Sequence, residues 1–91
     1  AERTFDADLR TLEDARVRLM RLAERVGERA RATGVAGRTV TVKLRVPPFE
    51  TSTRQATLPE PTAATAEIYA AGNRLLSRWW REAPARRLRL L

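Results

Sequence analysis

The groups best placed for chemistry in this 91-residue chain are two carboxylate pairs, Glu13 with Asp14 and Glu24 with Glu28, and 17 arginines. Carboxylates four residues apart share a helix face and can in principle hold a cation or pass a proton. Here they alternate with Arg16, Arg18, Arg21, Arg25 and Arg29, so ion pairing is the expected state, a pair such as Asp14 with Arg18 adding about a few tenths of a kcal/mol. The chain has no Cys and no His, which removes thiolate nucleophiles, disulfides, zinc fingers and imidazole acid–base or metal chemistry together. Gly34-Val35-Ala36-Gly37 lacks the Lys-Ser/Thr and the following helix of a phosphate loop, and is expected to stop a helix and turn the chain. Trp79 shares the face of Leu75 and belongs to a core, leaving Trp80 to cover a helix edge. No convergent set of acid, base and nucleophile exists, so the chain is not expected to be an enzyme by itself, and no cofactor is expected in it.

What remains is charge. Eighteen basic residues stand against eleven acidic ones, a formal +7, and Lys43 is the only lysine. Arginine presents a planar fork of donors that matches phosphate. The distribution says more than the total. Residues 6 to 33 hold seven arginines but a net charge of only +1, and residues 60 to 83 balance. Residues 37 to 58 carry +3 and the last segment, with Arg86, Arg87 and Arg89, another +3.

Those charges need elements to position them. Leu9, Leu12, Ala15, Leu19, Leu22, Val26 and Ala30 recur at helical spacing, predicting a helix over Asp8 to Thr33, capped by Asp6 or Asp8 and closed at Gly34. Its outer arginines are expected to be solvated. From Thr39 to Val46 even positions are apolar and odd ones polar, a strand with one wet face. Pro47-Pro48 ends it, and residues 46 to 50 form a hairpin loop in which Phe49 folds back onto the core. A second strand covers Thr51 to Leu58, stopped by Pro59 and Pro61. Thr62 is placed to cap a second helix carrying Ala64, Ile68, Ala71, Leu75, Leu76 and Trp79, which ends by Pro84. Residues 86 to 91 predict a last strand and Glu2 to Phe5 a first one.

The expected fold is therefore α+β, a βαββαβ two-layer domain over residues 1–91, with a four-stranded sheet and two helices on one of its faces. No apolar run reaches the ~18 residues that span a bilayer, and no membrane partner is expected. The open sheet face would present Thr39, Thr41, Lys43 and Arg45, joined by Arg87 and Arg89 and by Thr53, Gln55 and Thr57. Such groups contact phosphate oxygens without reading sequence. An RNA-recognition motif would stack bases on strand aromatics, and strands 39–46 and 51–58 contain none. Alternation places Arg54 on the helix side.

Glu2-Arg3-Thr4-Phe5, the long helix, Gly37-Arg38-Thr39-Val40-Thr41-Val42-Lys43-Leu44-Arg45, Phe49, Thr53-Arg54, Thr57-Leu58-Pro59, Pro61-Thr62, Leu75-Leu76 and Arg89-Leu90-Leu91 follow one another in a familiar order. The whole chain resembles the little-finger domain of Y-family translesion DNA polymerases, of the bacterial DNA polymerase IV (DinB-like) type. The resemblance implies a non-catalytic domain that rides in the major groove of the primer–template duplex and grips both phosphate backbones through its sheet. Palm, fingers and thumb of the parent chain, with its magnesium, would lie elsewhere. The resemblance further implies that Thr53 and Arg54 touch the backbone, that Arg89 touches template phosphate, and that Arg38 is a basic position opening the strand that runs from Thr39 to Val46, with Arg3 matched less closely. Gln55 stands where the family often has Ser. The family also continues past the final Leu pair, so the chain is expected to be one clipped domain of a larger polymerase. A bulge or an edge position near Arg54 would reconcile the alternation with the resemblance.

The expected function is sequence-nonspecific binding of double-stranded primer–template DNA in an error-prone, cytoplasmic, nucleoid-associated bacterial polymerase. The expected contacts are Arg38, Thr41, Lys43, Arg45, Thr53, Arg54, Gln55, Arg87 and Arg89. The alternatives are a protein-interaction module docking on a sliding clamp or polymerase core, through the helical surface or Trp80, and the same domain of a catalytically inactive Y-family relative.

Overall fold

The computed structural model of the chain describes residues 11–46, 50–82 and 89–90. Element order is α1 (Leu12–Thr33), β1 (Gly37–Val46), β2 (Glu50–Thr62), α2 (Thr65–Glu82) and β3 (Arg89–Leu90). The strands form an antiparallel sheet in the order β2-β1-β3. Both helices pack on one face of it, as expected. Three strands of the expected four-stranded sheet lie among the described residues; the strand expected at Glu2 to Phe5 falls outside them, as does Phe49.

The first helix starts later than expected. Thr11, extended at φ −123°, accepts the Asp14 N–H at 3.0 Å, so the cap is Thr11 rather than Asp6 or Asp8. At the other end Gly34 takes the left-handed conformation at φ 71°. Its N–H reaches the Arg31 carbonyl and the Val35 N–H reaches that of Ala30, which terminates the helix as expected.

The two helices run antiparallel and in direct contact. Ala15, Leu19, Ala23 and Gly27, four residues apart, form the buried line of α1. Leu19 lies against Gly72, and Gly27 against Thr65 at the start of α2. This corrects the expected stripe, because Val26 is 53% exposed. Small side chains let α2 approach, and that rotates the contact line away from the larger Val26. Arg16 is also not a solvated arginine. Half-buried in the seam, it donates from Nε to Asn73 Oδ1 at 3.1 Å and from Nη2 to Ser77 Oγ at 3.4 Å.

The sheet closes the core from below. Val42 and Leu44 meet Ala15, Leu19, Leu75, Leu76 and Trp79, with Leu44 and Leu76 wholly out of solvent. Burying each of these leucines stabilises the fold by roughly 1.5–3 kcal/mol. Trp79 is in this core as expected, and half-buried Trp80 meets it edge to face at 6.3 Å.

The prolines do not stop β2, which continues to Thr62. Pairing runs without a break from Val46↔Glu50 to Thr39↔Thr57 and then jumps to Gly37↔Thr62, so Leu58 to Pro61 stand opposite Arg38 alone. Proline lacks the ladder donor, and a bulge on an edge strand is where that lack costs least. Thr62 accordingly ends the strand and is not itself the residue flanking the helix. Its hydroxyl accepts the Ala64 N–H and donates to the Glu67 carboxylate, while the Ala64 carbonyl takes the Ile68 N–H.

Candidate nucleic-acid interface

In β1 the alternation holds residue by residue. Val42 and Leu44 are buried and Val40 half-buried, whereas Thr39, Thr41, Lys43 and Arg45 are exposed on the face away from the helices. Directly paired residues of an antiparallel ladder share a face, with Cβ atoms about 4.5–5.5 Å apart. The register pairs Thr39 with Thr57, Thr41 with Gln55, Lys43 with Thr53 and Arg45 with Thr51. All eight are exposed. The result is a two-column face about 20 Å long, bearing hydroxyls, one amide and two cations, and no acid among those eight residues. The Arg45 Nε donates to Thr51 Oγ1 at 3.3 Å, which ties one cation across the strands.

Of the expected site residues, Thr41, Lys43, Arg45, Thr53 and Gln55 come together on this face. Arg89 occupies the register position opposite Arg45 on the other side of β1. Arg87 lies outside the described residues. Arg54 pairs with Val42 and so belongs to the helix-side face, as alternation indicated. No bulge occurs at it. The reconciling feature is the edge: β2 has no described neighbour on its outer side, so Arg54 remains exposed, and its Nη1 donates to the Thr53 carbonyl at 3.1 Å. Arg38 sits opposite the bulge and donates from Nε to the Leu58 carbonyl at 3.3 Å, some way from the cationic end of the face.

Two features escaped the sequence reading. Thr51 completes the polar column of β2, and extending the same two-residue period by one step would have found it. The bulge also opens a groove of about 460 Å³ lined by Leu58, Pro59, Glu60, Pro61, Glu67, Ala70 and Arg74. Two prolines separated by one residue were its only local signal. Among the described residues no group of three or more His, Cys, Asp or Glu side chains is arranged to hold a metal ion.

A model of the impB/mucB/samB family C-terminal domain matches residues 1–91. The DNA polymerase IV of Caulobacter vibrioides is 44% identical over 77 residues, which cover 85% of this chain and 19% of that protein. That of Moorella thermoacetica is 44% identical over 85 residues, 93% of this chain and 21% of that protein. That of Halorhodospira halophila is 42% identical over 91 residues, 100% of this chain and 25% of that protein. The chain thus spans about a fifth to a quarter of the length of these relatives. A solved complex of beta-clamp processivity factor and little finger domain of PolIV contains a chain of the same fold. Its TM-score is 0.67 at 18% identity, covering 91% of this chain and 72% of that one.

Proposed function

The chain belongs to the impB/mucB/samB family C-terminal domain, and from that membership we propose that it holds duplex DNA for an error-prone translesion polymerase of the DNA polymerase IV kind. The observation that carries the reading is the exposed face of β1 and β2, whose eight described residues include no acid and carry Lys43 and Arg45 at one end. Lys43 and Arg45 neutralise phosphates, Arg89, which pairs in register with Arg45, adds to the cationic end, and the threonines and Gln55 add neutral hydrogen bonds. None of these groups has a reason to prefer one base sequence, because phosphate contacts position without specifying. Arg38 and Arg54, at the bulge and the outer edge, flank the duplex rather than lie beneath it.

The chain's own residues perform no bond-breaking step. Nucleotidyl transfer, with its magnesium ions, is a property of the palm, fingers and thumb of the parent polymerase, and the residues of this domain supply only positioning. Among the described residues no helix is long and apolar enough to cross a membrane. The parent works in the cytoplasm, at the nucleoid.

The test is duplex binding by fluorescence anisotropy. Replacing Lys43 and Arg45 together by Ala weakens binding to duplexes of any sequence alike. Unchanged affinity at ~50 mM salt, where phosphate contacts weigh most, would sink the reading.

A second reading coexists with the first. The solved neighbour is a complex with a beta clamp, and the groove beside the bulge is lined by the apolar Leu58, Pro59, Pro61 and Ala70 together with Glu60, Glu67 and Arg74. We propose this groove, rather than Trp80, as the surface that meets a sliding clamp, leaving the open sheet face to DNA.

A further inference from the structure

The open face is chemically uneven along its length. Its four cross-strand pairs follow one another at about 7 Å, two residues of strand rise apart. The two pairs nearest the bulge, Thr39–Thr57 and Thr41–Gln55, contain only neutral donors and acceptors. The two nearest the hairpin, Lys43–Thr53 and Arg45–Thr51, each contain a cation, and Arg89 takes the register position beside Arg45. The centres of the two halves are about 14 Å apart, four residues of strand rise. A B-form major groove is about 12 Å wide, so the halves are separated by the distance that divides the two backbones bordering such a groove.

Resting on the duplex-binding reading, we infer that the face is divided in its mode of binding. The hairpin half holds one backbone by charge, and the Thr–Gln half holds the other by neutral hydrogen bonds. The physical consequence differs between the halves. A cation that neutralises a phosphate releases condensed counterions, and log affinity falls with log salt by about 0.9 per phosphate. A hydroxyl or amide bonded to the same oxygen releases none. Thr41 and Gln55 are thus affinity residues whose contribution salt does not remove, and they keep the domain on DNA when ionic strength weakens Lys43 and Arg45.

The experiment is a salt series of anisotropy titrations on one short duplex, using the 91-residue chain and two double variants. In Lys43→Gln with Arg45→Gln, the salt slope becomes shallower by about 1.8, two phosphates' worth. In Thr41→Val with Gln55→Met, affinity falls roughly fivefold or more at every salt, as expected for two lost neutral hydrogen bonds, and the slope stays at the wild-type value. A changed slope in the neutral variant, or full affinity at all salts, overturns the division while leaving duplex binding intact. Absence of duplex binding by the wild-type chain overturns the underlying reading and the division with it. Circular dichroism melts of both variants separate lost contacts from lost fold, and these exposed positions are expected to melt as wild type does.

Discussion

Gly27 sets how close the two helices come. A Cβ placed there would lie 2.6 Å from Thr65 Oγ1 and 2.9 Å from Arg31 Nη1, and Arg31 itself donates to the Ala63 carbonyl at 2.7 Å. The knot between the end of α1 and the start of α2 has no room for a methyl group. Gly72 offers a contrast, since its added Cβ would meet the Leu19 Cδ1 methyl at 3.2 Å, a contact relieved by a shift of a few tenths of an ångström. Gly27→Ala is therefore expected to destabilise the domain by roughly 1–3 kcal/mol through overpacking. Gly72→Ala should stay within about 1 kcal/mol of wild type, because the better helix propensity of Ala offsets the tighter contact. Thermal denaturation of the two variants checks this, and equal melting temperatures would contradict the close approach. Neither glycine was legible beforehand. Apolar periodicity counts side chains, so it favoured Val26 and passed over the residue whose lack of one makes the contact. Arg16 was missed for a related reason: a cation on a charged helix face looks solvated until the partner helix brings Asn73 and Ser77 beside it.

At the scale of elements, β1 was the most legible, because burial on one face leaves a two-residue period that no other element produces, and the open face followed from it. The ends of elements were less so. Asp6, Asp8 and Thr11 can all cap a helix, and local chemistry alone does not choose among them. The rule that proline ends a strand failed at Pro59 and Pro61 because it holds for central strands, whereas β2 is at the edge of the sheet among the described residues and carries a bulge. That departure is what makes the groove, since the four residues facing Arg38 line it together with Glu67, Ala70 and Arg74 of α2. Ala70 lies exposed on α2 in the wall of the groove. Ala70→Tyr fills the space without entering the core, and it should reduce retention on an immobilised bacterial beta clamp about tenfold while leaving duplex affinity unchanged. Clamp retention equal to wild type would rule out the groove as the docking surface.

For the whole molecule, the formal charge of +7 is informative through its placement. The arginines of α1 are interleaved with carboxylates or drawn into the helix seam, so they offer little field of their own. The cations of β1 stand on a face with no neighbouring acid among the eight exposed residues that form it. Among the described residues, two helices cover one side of the sheet and the other side is exposed over about 20 Å, a length that suits the proposed rod-shaped polyanion. The element order among the described residues and the solved chain of the same fold are consistent with a little finger, and the family model matches residues 1–91. The most direct measurement is a nuclear magnetic resonance titration of the chain with a short duplex, following each backbone amide. The account predicts shifts concentrated in residues 39–45 and 51–57, largest around Lys43 and Arg45, with the outer surfaces of α1 and α2 unmoved. Shifts confined to the helices, with the sheet amides unchanged at saturating DNA, would contradict it.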